Sequence, residues 1–391
     1  MTKKINCMKK YCYFTLGLLL TLLTFNSCKE DIELVGNFKE TAVIYGVLDT
    51  LESVHFIKIN RAFIGPGNAL EIAKIPDSSY FSSVEATVKE YILNPSNNVK
   101  TLARTWPLRD TLIYTKSSGV FYAPSEKVYY FSDNSQGKLN LNATYDLEVI
   151  IYKGTSKEFI VTGSTEMVSG ISSGQKTSSS NFSFISNDGK LTNARVEVAS
   201  TGNAATINAS LKINIDEYSD NSLVSSPVIN WNTGEAEVQK NASFSTTIQG
   251  QLFYELIRKN VSPDNATINT RRLSSISIVL TGGSTELNNY INANKPSGTL
   301  AQSKPSYTNL KINNDNNVVG IFTSRLTVII NKPFSISAQN QNQSCLDAKS
   351  RAELCLGTIS GVTGTGGLFF KSNHVVDGAS GGKPAKPYYL P

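Results

Sequence analysis

Two histidines, His55 and His374, are the whole stock of side chains that exchange protons near neutral pH in this chain of 391 residues. His55 lies in Val54-His-Phe-Ile-Lys-Ile59 with Ile57 and Ile59 on its own strand face, which makes it a packed or half-exposed strand residue rather than a catalytic base. His374 falls in a tail rich in Gly, Ser and Pro. There is no H-E-x-x-H, no C-x-x-C and no paired-histidine spacing, so neither a metal site nor a cofactor is expected. Gly170-Ile-Ser-Ser-Gly174 has the letters G-x-S-x-G, but a nucleophile elbow needs a strained turn from strand into helix, and this pentapeptide lies in a Ser/Gly stretch. Gly381-Gly-Lys383 fails as a phosphate loop, because Asp377 stands where the first glycine belongs and Pro384 replaces the Ser or Thr. Glu30-Asp31, Asp216-Glu217 and Glu235 with Glu237 are pairs of the kind glycoside hydrolysis sets across a cleft, and here they read as solvated turns and strand edges. Asn313 to Asn317 and Asp133-Asn134 carry oxygen ligands without EF-hand spacing and read as turns. No catalytic residue is assigned, and binding is the chemistry left.

Binding by stacking needs rings that face solvent. The chain has 17 Tyr, 17 Phe and 2 Trp. Tyr129-Tyr-Phe131 and Phe121-Tyr122 must each place a ring on either face of a strand. Most rings of a β-protein go to cores and cross-strand pairs. Trp106 and Trp231, each beside turn residues, are the candidate ligand contacts.

Cys28 carries a different chemistry. A basic leader with Lys3, Lys4, Lys9 and Lys10 precedes an apolar stretch from Tyr11 to Phe25, too short for a comfortable bilayer span. Small Ser27 then stands immediately before Cys28, with Phe25 where a lipobox usually has Leu, Val or Ile. This resembles a relaxed bacterial lipoprotein signal of the Bacteroidota. It implies cleavage of residues 1–27 and acylation of Cys28, and two or three acyl chains at about 0.8 kcal/mol per buried methylene hold a protein on a membrane. Lys29-Glu30-Asp31 resembles the charged tag that directs such proteins to the outer leaflet of the outer membrane; the other reading is an acidic solvated tether. Removing residues 1–27 takes four lysines and no acid, so the charge falls from +6 to +2. No nucleic-acid partner is expected from so small a surplus. Cys345 and Cys355 are the cysteines left in the mature fold. They allow one disulfide, or a short helix from Leu346 to Cys355 behind a capping-box spacing at Ser344, but not both. Ten helical residues separate Cα atoms by about 15 Å, beyond the roughly 7 Å a disulfide spans. The helix is the favoured outcome.

The elements that position these residues are strands. Period-two alternation runs through Tyr145–Ile151, Ala194–Val198, Leu211–Ile215 and Ile276–Leu280, the signature of antiparallel sheets wet on one face. Thr41–Leu48 and Thr323–Ile330 are apolar on both faces and predict central strands. Polar turns every ten or so residues predict an all-β fold of sandwiches or barrels. Two helices are expected inside it: Gln251–Asn260, pairing Leu252 with Leu256 and Phe253 with Ile257, and Thr285–Asn294, capped by Ser284 with Leu287 and Ile291 inward. The organisation is then a signal over 1–27, a tether over 28–37, a β-domain over 38–168, a flexible Ser/Gly linker over 169–180, a second β-domain over 181–345 and a short helix with an irregular tail over 346–391.

Glu40–Leu48, Val54–Ala62, Val84–Tyr91 and Ala143–Val149, with Gly283–Tyr290, Tyr307–Leu310 and Val319–Arg325, resemble Bacteroidota outer-membrane lipoproteins of the domain-of-unknown-function type. The resemblance implies an immunoglobulin-like first sandwich. It also implies a surface partner of TonB-dependent receptors that captures a nutrient, with a glycan or peptide as ligand and the lipid anchor as the membrane contact. Adhesion or envelope scaffolding, and a surface glycan or peptide hydrolase, are the competing readings.

Overall fold

A computed structural model describes residues 39–62, 68–179, 181–219, 222–261, 268, 270–295, 307–333, 345–356 and 359. Cys28, Lys29, Glu30, Asp31 and His374 lie outside them, as does the rest of the expected tether. The first half is built from β1 (Thr41–Asp49), β2 (Val54–Ala62), the short helix α1 (Ala69–Ile72), a 3₁₀ turn (Pro76–Ser79), β3 (Val84–Asn94), β4 (Val99–Pro107), β5 (Arg109–Ile113), β6 (Glu126–Ser132), β7 (Ala143–Ile151) and β8 (Phe159–Glu166). The second half runs β9 (Ile171–Ser173), α2 (Gln175–Ser179), β10 (Asn193–Thr201), β11 (Thr206–Ser219), β12 (Ser222–Ser225), β13 (Val228–Glu237), β14 (Phe244–Gln249) and α3 (Gly250–Asn260). It continues with β15 (Thr270–Gly283), α4 (Thr285–Asn294), β16 (Lys311–Ile312), β17 (Asn317–Pro333) and α5 (Ala348–Leu356).

The first sandwich sets β1-β2-β6-β5 against β8-β7-β3-β4. Named A to G in chain order, that is A-B-E-D facing G-F-C-C′, the immunoglobulin-like arrangement. Alternation drives it: in β7 the residues Tyr145, Leu147, Val149 and Ile151 are buried while Asp146, Glu148 and Ile150 between them are half-buried. They meet Ile44, Ile57, Ile59 and Phe131 of the other sheet in one core. Burying each such aliphatic side chain contributes about 1.5–3 kcal/mol. Tyr145 makes the tyrosine corner of this fold, its hydroxyl accepting from Asn140 N at 2.7 Å and contacting the buried Glu90 carboxylate, which also pairs with Arg104. That burial beside a carboxylate pushes the Tyr145 hydroxyl far above its ordinary value.

The second sandwich packs β14-β10-β9 against β13-β11-β15 and the end of β17, with Phe253 and Ile257 of α3 filling the core. Leu252 is exposed and Leu256 only partly buried, so the paired stripe is narrower than its spacing predicts. Ser284 caps α4 as expected, accepting from Leu287 N, but Ile291 is exposed rather than inward. The helix sets Leu287 against Gly283 and Tyr290 against Tyr45. Asp347 precedes α5, and its carboxylate accepts from Ser350 N at 2.7 Å and from Ser183 Oγ at 2.8 Å; Ser344, the expected cap, lies outside the described residues. Cys345 is a free, buried thiol in front of that helix.

Segment 169–180, expected to be a flexible linker, instead carries β9 and α2. Ile171 pairs with Thr201, and the buried Thr177 hydroxyl accepts from Glu197 N at 2.7 Å. Its Ser/Gly composition satisfies backbone groups of β10 rather than leaving them to water. The two sandwiches share a strand. Residues 317–325 of β17 pair parallel with β1, and residues 325–333 pair antiparallel with β15, giving a nine-stranded sheet. This parallel pairing, between strands far apart in the chain, is absent from the purely antiparallel expectation.

Candidate functional site: an aromatic cleft on the outer sheet face

The alternation of β1 sends Ala42, Ile44 and Leu48 into the core and leaves Val43 and Tyr45 on the opposite face. Across the antiparallel ladder Val43 stands opposite Asn60 and Tyr45 opposite Lys58, so these two cross-strand pairs form one floor. An outer sheet face normally meets water. Here two long connections fold over it: the β2–β3 connection, with α1 and the 3₁₀ turn leading to Tyr80, and the β5–β6 connection, which brings Lys116, Phe121 and Tyr122. They are tied down by Tyr122 N donating to Ala73 O at 3.0 Å and Lys127 N donating to the Tyr80 hydroxyl at 3.0 Å. The result is a cleft of about 570 Å³ with Tyr45 and Asn60 at its base and Tyr80, Phe121 and Tyr122 on its walls. Phe121 is 54% exposed and Tyr122 38%, so both rings have free surface at its mouth. The volume is that of sites for small ligands.

Three cations line this cleft. Lys58 pairs with Glu126, and Arg61 lies 3.6 Å from Glu40, whose carboxylate also accepts from the Tyr152 hydroxyl at 2.9 Å. Lys116 has no carboxylate partner among the described residues; its ammonium sits 5.7 Å from the centre of the Phe121 ring. The Asn60 carboxamide oxygen is buried with no hydrogen-bond partner among the described residues. Tyr45 also reaches out of the cleft: its ring meets Tyr290 of α4 edge-on at 5.9 Å, and the two hydroxyls are 3.3 Å apart. That hydrogen bond, with burial, pushes the Tyr290 hydroxyl up to about 12.

A second groove, of about 320 Å³, opens on the outer face of β3, β7 and β8. In it Lys89 pairs with Glu148 at 3.2 Å and Asp146 accepts from Ser164 Oγ at 2.6 Å, while Lys100 and Lys311 also line it. It offers no aromatic wall comparable with the first.

The residues singled out from sequence do not gather in the cleft. Trp106 is 3% exposed inside the first core, 5.3 Å from the Phe131 ring, so it is not a ligand contact; the one buried side chain of an otherwise exposed β4 is spent on packing. Trp231 is half-buried against the second core, opposite Leu211. Glu217 is buried in a 2.8 Å pair with Arg271, Asp216 accepts from Ser226, and Glu237 accepts from Asn292. Ser172 does stand in a strand that runs into a helix, but within the β9 ladder opposite Ser200, not at the turn. His55 is buried, its Nε2 3.6 Å from Asp133. Among the described residues no three His, Cys, Asp or Glu side chains are grouped to hold a metal ion, and no helix is long and apolar enough to cross a membrane. The cleft itself was missed. Its sequence signal is the doubly apolar β1 and the Phe121-Tyr122 pair, and neither says which surface the rings will share.

These features define an immunoglobulin-like sandwich joined through one strand to a second β-sandwich, with an aromatic and cationic cleft on the outer face of the first. No protein-family model matches the chain, and no curated protein matches it.

Proposed function

We propose that this chain is a lipid-anchored lipoprotein of the outer membrane that faces the cell surface and captures a ligand without catalysis, beside a TonB-dependent receptor in nutrient uptake. The address rests on the leader ending in Ser27-Cys28 and on the Lys29-Glu30-Asp31 tag. The binding role is carried by one observation, the cleft of about 570 Å³ whose walls present exposed rings and a lysine with no carboxylate partner among the described residues. An unmatched cation beside free aromatic surface serves a ligand better than it serves the fold.

The test has two arms. Cys28→Ser is expected to move the protein from the membrane to the soluble fraction and abolish fatty-acid labelling, and protease added to intact cells is expected to digest the wild type. Gentle detergent extraction is expected to bring down a large β-barrel receptor with the wild-type protein. Unchanged membrane fractionation of the variant defeats the anchor, full protection from protease defeats the surface location, and extraction without a receptor favours a stand-alone scaffold or adhesin.

A further inference from the structure

The chemistry lining the cleft narrows its ligand. Lys116 supplies a positive charge that no described carboxylate answers, so the ligand brings an anion. Phe121 and Tyr122 offer exposed ring faces, and Tyr45 lines the floor, so the ligand brings a flat apolar face to lie on them. Those two demands alone would fit a hydrophobic acid. Asn60 adds a third. Its carboxamide oxygen is an acceptor buried in the floor, on the strand face it shares with Lys58, and it has no donor among the described residues. An unsatisfied buried acceptor costs about 1–3 kcal/mol, which a ligand hydroxyl would recover and a plain hydrophobic acid would not.

Resting on the capture role proposed above, we infer that the cleft binds a sugar acid, a hydroxylated ring bearing one carboxylate. Its carboxylate pairs with Lys116, its ring face lies on Phe121 and Tyr122, and one hydroxyl donates to Asn60. Lys58 and Arg61 keep their internal partners Glu126 and Glu40 and set the rim, so the site holds a surplus of one positive charge. That surplus favours a single carboxylate over a dianion.

Isothermal titration calorimetry on the full-length protein in detergent separates the possibilities with three probes: galacturonate, galactose and benzoate. Galacturonate is expected to bind at least about tenfold more tightly than either galactose, which lacks the charge, or benzoate, which lacks the hydroxyls. Lys116→Met and Phe121→Ala are each expected to weaken galacturonate by about tenfold. Lys100→Met, in the other groove, is expected to change nothing, and because Phe121 is exposed and Lys116 half-buried, both cleft variants are expected to fold. Galactose or benzoate binding as tightly as galacturonate overturns the sugar-acid assignment, and if that binding is lost in Phe121→Ala the capture role itself stands. Galacturonate binding that neither cleft variant weakens overturns the location. Saturation by none of the three overturns the inference, while anchor, surface exposure and receptor association are read independently of it.

Discussion

Asp49 and Arg325 stand opposite one another on the parallel strands β1 and β17, and their side chains meet at 2.8 Å at the point where one sandwich passes into the other. The Asp49 carboxylate is almost fully buried and also accepts from Thr327 Oγ1 at 2.7 Å and Leu51 N at 3.0 Å. One residue away, Ser324 Oγ donates to Glu166 O at 2.6 Å and accepts from Val168 N at 3.2 Å. Thr323 meets Ser284 hydroxyl to hydroxyl at 2.7 Å. The junction is a polar seam in which each of these β17 residues finds a partner from another strand or connection.

Asp49→Ala removes the acceptor of that seam. Arg325 is 44% exposed and can turn to water, so the loss is smaller than for a fully buried pair: about 1–3 kcal/mol, read as a lower urea midpoint at unchanged slope. The tryptophans report which half responds, because Trp106 lies in the first core and Trp231 against the second. In Trp106→Phe and Trp231→Phe backgrounds the wild-type seam is expected to give coincident transitions, and Asp49→Ala to separate them. Coincident transitions in the variant would show that the shared strand alone couples the halves.

Gly320 is where β17 makes its close approach to β1. Its φ is +110°, and a Cβ there would stand 1.9 Å from Ile44 O, a backbone atom that cannot step aside. Gly320→Ala is therefore expected to destabilise by more than about 3 kcal/mol. Gly119→Ala, with open space around it, should stay within about 0.5 kcal/mol of the wild type. Thermal melts of the two variants side by side decide it, and similar melting temperatures would mean the parallel pairing is looser than this geometry.

Sequence period carried the strands because each of them keeps one face dry locally. Tyr145 to Ile151 alternates for that reason, and Ser284 is legible as a cap because its partner Leu287 N is three residues on. What was not legible depends on partners far along the chain. Segment 169–180 reads as a linker until β10 is placed beside it, and the hold of Asp347 on Ser183 joins positions far apart in the chain. Trp106 sits beside Pro107 in a strand otherwise exposed, so nothing local marks it as core. The cleft needs two connections, near residues 80 and 120, to fold over the same strand pair, and no periodicity encodes that meeting.

His55 and Asp133 are both buried at 3.6 Å, too far for a direct hydrogen bond, and neither His55 Nε2 nor the Asp133 carboxylate has a hydrogen-bond partner among the described residues. Burial lowers the His55 pKa; Asp133 and Asp49 oppose this, and Lys138 adds to it. Between the lowered folded value and about 6.5 the unfolded chain holds a proton that the folded chain does not. Stability therefore rises with pH through that window and is lost as pH falls through it. The wild type is expected to lose more stability than His55→Gln between about pH 7 and pH 5, measured by urea titration at each pH. Parallel losses in the two proteins would assign the acid sensitivity to other groups.

Cys345 is fully buried between Phe182 and α5, and burial pushes its thiol up to about 12. At pH 8 almost none of it is thiolate, and the thiolate is the form that alkylates. Iodoacetamide should therefore leave the Cys345 peptide unmodified in the native protein and label it fully in urea, read by peptide mass spectrometry. The helix is held over it by Asp347, which accepts from Ser350 N and Ser183 Oγ, while the Ser350 hydroxyl accepts from Phe184 N at 2.7 Å. Asp347→Ala removes a cap worth about 0.5–2 kcal/mol, so local opening of α5 becomes roughly 2- to 30-fold more frequent and native labelling of Cys345 rises by that factor. Labelling that is already complete in the native wild type within minutes would mean that α5 does not cover the thiol in solution. Labelling that stays slow in Asp347→Ala would place the protection in the strand bridge between Phe182 and Leu346 instead.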